Sequence, residues 1–128
     1  MQIAVKGMRM AVYRGWLAVG ALAAAGAVGL AAYAAHGPID PARLRPVDSA
    51  VRMQGWHALA LVACGLLGSA GGWGVHLAGA LFLAGMTLFC AAIWVPVFGG
   101  PGLGLAAPTG GIMLMLGWLA LAAAAIRG

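Results

Sequence analysis

Charge is what this sequence has least of. Its 128 residues include seven lysines and arginines and two acidic residues, so 7% of the chain is charged against 64% hydrophobic. The mean hydropathy is +1.02. A water-soluble domain of this size still exposes a large share of its surface and cannot hide that much apolar area. The remaining solvent is lipid. Lys6, Arg9, Arg14, Asp40, Arg43, Arg45, Asp48, Arg52 and Arg127 all fall outside the long apolar runs. That is where charge belongs when placing it at mid-bilayer costs roughly 3 kcal/mol or more. The net charge of +5 carries no basic stripe with interleaved aromatics, which excludes a nucleic-acid partner. The basic residues instead flank apolar runs, where they set orientation and meet anionic headgroups.

Cysteine is nearly as scarce. Cys64 and Cys90 sit inside apolar runs, with neither a C-x-x-C pair nor a C-x-x-C-H haem-attachment signature, and read as buried small hydrophobes. G-x-S-x-G, H-E-x-x-H and Walker patterns are absent too, and "FGGPGLG" (98–104) reads as a turn. No ionisable residue is expected inside a span, which argues against a proton-coupled pump. The expectation is a protein that is not an enzyme.

What is present is four apolar runs in one integral membrane domain over 1–128. The expected spans are about 16–36, 54–70, 75–96 and 109–126, with a polar loop at 37–53. The first run, Trp16–Ala35, is about 30 Å of helix, enough to cross the hydrocarbon and longer than a signal-peptide core. His36-Gly37-Pro38 ends it, with Gly37 placed as a left-handed C-cap. Asp40-Pro41 reads as an N-cap and first helical residue of a short turn that Pro46 closes. Asp48 then caps an interfacial helical lead-in, Ser49–Gln54, to the second span. "GSAGGWG" (68–74) is an uncharged reversal, and Pro96 with the following glycines ends the third span. The fold class is therefore an all-α membrane protein: four transmembrane helices with a short interfacial helical loop between the first two.

Trp16, Trp56, Trp73 and Trp94 fall at expected helix ends, where an amphipathic ring belongs, and Trp118 lies deeper. Ala21, Ala25 and Gly29 on the first helix, and Ala120 and Ala124 on the last, form ladders suited to close packing in lipid. An even number of spans puts both termini on one side. Four basic residues there, against three in the 37–53 loop, favour a cytoplasmic placement.

This topology puts the end of the first span and the start of the second on one side, so His36 and His57 are expected to share an interface. Tyr33 and Gln54 lie one turn away, and the Pro108-Thr109-Gly110-Gly111 start of the fourth helix is on the same side. His76 belongs to the opposite side, which excludes a three-histidine metal site. Each imidazole can simply bond a neighbouring carbonyl and staple helices together. Alternatively, His36 and His57, with Gln54 nearby, converge on a metal, a haem iron or a quinone carbonyl. Two histidines alone make a poor zinc site.

The same residues carry a resemblance. "AAYAAHG", "VRMQGWHALAL", "LAGMTLF" and "PTGGIMLMLGWLALAAAAIR" look like successive signatures of the domain-of-unknown-function 423 family. These are YgdD-like small bacterial inner-membrane proteins related to eukaryotic transmembrane protein 256. The resemblance matches His36, Gln54 and His57 to a histidine ending helix one and a Gln-x-x-His opening helix two. It matches Pro108, Gly110 and Gly111 to a Pro-x-Gly-Gly before helix four, and Gly117 and Trp118 to a Gly-Trp within it. With Gly37, these last residues are expected to shape the helix interfaces. The resemblance implies an inner-membrane location with cytoplasmic termini and the histidine face outside. Where the family reads Leu-Phe-Ser-Gly-Ser-Leu-Tyr, this chain has Leu88-Phe89-Cys90-Ala91-Ala92-Ile93-Trp94, and Ala107 replaces a usual threonine.

Two functions follow as expectations. One is a non-catalytic accessory or structural subunit of a larger membrane assembly or homo-oligomer, with no cofactor called for. The other is a membrane protein that binds a metal, haem or quinone through His36 and His57.

Overall fold

In a computed structural model, the backbone is described for residues 2–5 and 8–128 and side chains for 12–68 and 70–128. Lys6, one of the basic residues counted for orientation, lies outside the described residues. A short antiparallel ladder, β1 (Gln2–Val5) with β2 (Met8–Ala11), pairs Gln2 with Ala11 and Val5 with Met8. Four helices follow: α1 (Arg14–His36), α2 (Leu44–Leu67), α3 (Gly72–Val97) and α4 (Ala106–Arg127). At 1.5 Å per residue they run about 33–39 Å, longer than the ~30 Å of bilayer hydrocarbon. All four are long and apolar enough to cross a membrane. The bundle is all-helical, as the sequence pattern predicts.

The turn chemistry between α1 and α2 explains where the observed boundaries depart from expectation. Gly37 does cap α1, its N–H bonding the Tyr33 carbonyl at 2.6 Å, but at φ −82° and ψ 166° it is extended rather than left-handed. Pro38 is the reason, because the ring of a proline pushes the preceding residue out of helical space. Glycine is needed there for room: a Cβ would stand 2.6 Å from the Tyr33 carbonyl oxygen. Asp40 caps the 3-10 turn Pro41–Arg43 by accepting from the Ala42 N–H at 2.9 Å. Pro46, however, closes nothing. It is the third residue of α2, in the first turn, where its missing N–H has no partner to lose. The lead-in and second span are thus one helix, and Asp48 lies inside it, paired loosely with Arg52 at 3.6 Å. The polar loop shrinks to 37–43, and Trp56 falls at mid-helix, 59% exposed, instead of at an end.

The core lies between α2 and α3, where Leu61, Cys64, Val75 and Phe82 are fully buried. Two antiparallel hairpins flank it, and bare backbone brings each one together. In α1–α2, a Cβ on Gly20 would stand 2.7 Å from the Ala58 oxygen, and one on Gly65 2.6 Å from the Leu17 nitrogen. In α3–α4, a Cβ on Gly110 would stand 2.6 Å from the Gly85 oxygen. With no hydrophobic effect between helices in lipid, such close approach is what associates them. Leu22, Leu59, Leu119 and Ile126 remain well exposed, a surface made for acyl chains.

Candidate functional site

His57 is the fourteenth residue of α2, ~20 Å along the axis from Leu44. It is 3% exposed and, among the described residues, the one polar side chain in the buried set. Phe82 of α3 and Trp118 of α4, also mid-helix residues, pack on it with ring centroids 5.6 and 5.9 Å away. An ionisable residue therefore does lie inside the spans, against expectation. The longer α2 explains this: with the helix starting at Leu44, a residue expected at the mouth becomes one at mid-membrane.

Both ring nitrogens of His57 are engaged. The Trp118 indole Nε1–H donates to Nε2 at 3.0 Å. That nitrogen must carry a lone pair, which assigns the proton to Nδ1, 2.6 Å from the Met53 carbonyl oxygen to which it donates. The ring is a neutral imidazole that bridges its own helix to α4. Gly117 makes the approach possible, since a Cβ there would lie 2.7 Å from the Phe82 ring. Gln54 points elsewhere and donates to the Ala23 carbonyl of α1 at 3.0 Å.

His36 is not part of this cluster. It is the last residue of α1, exposed, with no side-chain hydrogen bond among the described residues. The two histidines expected to share an interface are separated along α2, and the geometry does not offer a ligand held by both rings. Among the described residues, no three His, Cys, Asp or Glu side chains gather as a metal centre needs. Pro108 is exposed in the first turn of α4, Gly110 lies against α3, and Gly111 meets nothing within 4 Å. Gly111 instead lines a cleft of about 210 Å³ bounded by Met53, Trp56 and His57 on α2 and by Met115 and Trp118 on α4.

A second pair of the same kind was not anticipated. Trp16 of α1 donates its Nε1–H to His76 Nδ1 of α3 at 3.0 Å, and Tyr13 sets its edge against the same ring at 4.8 Å. Each diagonal of the bundle, α1 to α3 and α2 to α4, is thus tied by a tryptophan–histidine hydrogen bond. The available signal was the number of indoles: five in a charge-poor chain whose buried N–H groups require acceptors.

Four apolar helices held by glycine contacts and diagonal indole–imidazole bonds define a small integral membrane protein. The chain belongs to the family described as protein of unknown function DUF423, whose model matches residues 30–111. It is 32% identical over 116 residues to a UPF0382 membrane protein of Staphylococcus aureus, covering 88% of this chain and 95% of that one. A UPF0382 membrane protein of Staphylococcus epidermidis is 30% identical over the same shares. The UPF0382 membrane protein YwdK of Bacillus subtilis is 31% identical over 118 residues, 88% of this chain and 96% of the relative. No solved structure matches.

Proposed function

We propose that the protein is a non-catalytic accessory subunit that packs within a larger assembly in the bacterial inner membrane. The observation that carries this reading is the state of His57: the one polar side chain in the described core spends both ring nitrogens on structure, Nδ1 on a carbonyl of its own helix and Nε2 on the Trp118 indole of α4. Around it the bundle offers lipid or a partner apolar surface. Ala21, Ala25 and Gly29, expected to pack within or between chains, are exposed on the outer face of α1. The termini are assigned to the cytoplasm on the balance of Lys6, Arg9, Arg14 and Arg127 against Arg43, Arg45 and Arg52. The test is native mass spectrometry after gentle release from the protein's own membranes. Other polypeptides at fixed stoichiometry are expected, and a lone chain overturns the reading.

One observation favours a second reading. The 210 Å³ cleft opens on His57, so a lipid-soluble ligand such as a quinone or haem can take that ring, without His36, if Trp118 releases Nε2. A residual small mass on the lone chain, lost in His57→Ala, is the result that would move the assignment.

A further inference from the structure

A second groove lies between the end of α1 and the start of α2. Its volume is about 270 Å³, and its walls are Ala31, Ala34 and Ala35 on one side and Leu44, Asp48 and Val51 on the other. Asp48 and Arg52 lie about 6 and 12 Å from the start of α2. α2 overhangs the hydrocarbon by about 3 Å at each end, which sets the Asp48 backbone about 3 Å and the Arg52 backbone about 9 Å below the boundary. Asp48 reaches the headgroup layer directly and Arg52 by extending its stem toward water. The pair is well exposed, at 59% for Arg52 and 69% for Asp48, and its 3.6 Å separation is too long for a hydrogen bond. Both groups therefore keep free hydrogen-bonding capacity. The Asp48 carboxylate lines the slot opposite the alanine methyls of α1, and the Arg52 guanidinium stands beside that carboxylate at the slot's edge.

We propose that this groove binds one phospholipid whose headgroup carries a primary amine, with the ammonium on Asp48, the phosphate on Arg52 and an acyl chain along the alanines of α1. Charge complementarity selects the occupant. An ethanolamine headgroup presents one positive and one negative group at neighbouring positions, matching the pair. A phosphatidylglycerol headgroup has no cation for Asp48 and brings its phosphate toward that carboxylate. A choline headgroup has charge but no N–H to donate. Arg43 and Arg45, exposed just before the groove, attract phosphates of every class alike and supply no choice among them.

The experiment exposes the full-length protein in detergent to phosphatidylethanolamine, phosphatidylcholine and phosphatidylglycerol with identical acyl chains and reads retained lipid by native mass spectrometry. Phosphatidylethanolamine is expected to be retained about tenfold over the other two, the factor one charge-assisted hydrogen bond supplies. Asp48→Asn should bring phosphatidylethanolamine down to the phosphatidylcholine level. Arg52→Gln should lower both, and Ala34→Leu, which fills the groove, should lower all three. Both polar positions are exposed, so these variants are expected to fold, and a thermal melt checks each. Equal retention of the three lipids by the wild type overturns the proposal, as does amine preference that survives Asp48→Asn.

Discussion

An indole N–H inside a membrane has no water to fall back on, and two tryptophans, Trp118, 46% exposed toward lipid, and Trp94, buried, meet that constraint differently. Trp118 donates to His57. Trp94, 7% exposed, stacks on Phe98 with ring centroids 5.6 Å apart, and its Nε1–H has no partner among the described residues. Replacing either with phenylalanine removes the same donor, but only at Trp118 does a hydrogen bond go with it. Trp118→Phe leaves His57 Nε2 a buried acceptor without a donor and is expected to cost about 1 kcal/mol, within the range of interhelical hydrogen bonds in bilayers. Trp94→Phe removes a donor with no bond to lose, so its cost comes through packing alone, and it should show no coupling to His57→Ala. Thermal or denaturant unfolding in detergent measures both. A double-mutant cycle of His57→Ala with Trp118→Phe should show non-additivity of similar size, and additive costs would mean the bond contributes nothing. The sequence pattern identified His57 and Trp118 as separate features, on helices two and four. Their meeting was not legible, because it depends on the relative depth of two helices, and the depth of α2 turns on whether Pro46 ends a turn or sits within one.

Elements show the same division. Four helices were readable from hydropathy, since nothing else accounts for such runs in a chain with so little charge. Which face of each helix packs was not. The ladder Ala21, Ala25 and Gly29 has the spacing of a packing surface, yet α1 turns Gly20 and Ala27 inward and that ladder outward. Small residues lie nearly all round α1, so spacing alone cannot choose a side. The adjacent glycines of α4 let the distinction be tested. Gly110→Ala places a methyl 2.6 Å from the Gly85 oxygen and the Phe89 nitrogen, both backbone atoms. The helices must separate, at a cost of about 1–3 kcal/mol. Gly111→Ala meets nothing within 4 Å and should be neutral or stabilising by up to about 1 kcal/mol through helix propensity. Equal effects of the two substitutions on the melting temperature would count against close contact of α3 and α4 at Gly110.

At the scale of the whole molecule, the bundle is two hairpins joined along α2 and α3. Within each hairpin, backbone meets backbone at glycine; between them, buried side chains and the two diagonal indole–imidazole bonds make the connection. Helices that are each stable in lipid associate as preformed units, so covalent continuity at the Gly68–Gly71 turn should be dispensable. Two fragments divided there, one carrying α1–α2 and the other α3–α4, are expected to insert separately and co-purify in mild detergent when expressed together. The bonds across the diagonals should govern that association. Trp16→Phe in the first fragment combined with Trp118→Phe in the second removes both donors and should weaken recovery of the untagged half about tenfold, if each bond contributes ~0.6–1 kcal/mol. Each fragment should still be found in the membrane. Undiminished co-purification would place the association in the apolar contact of α2 with α3 alone, and leave the two tryptophan–histidine pairs with the task of setting helix depth.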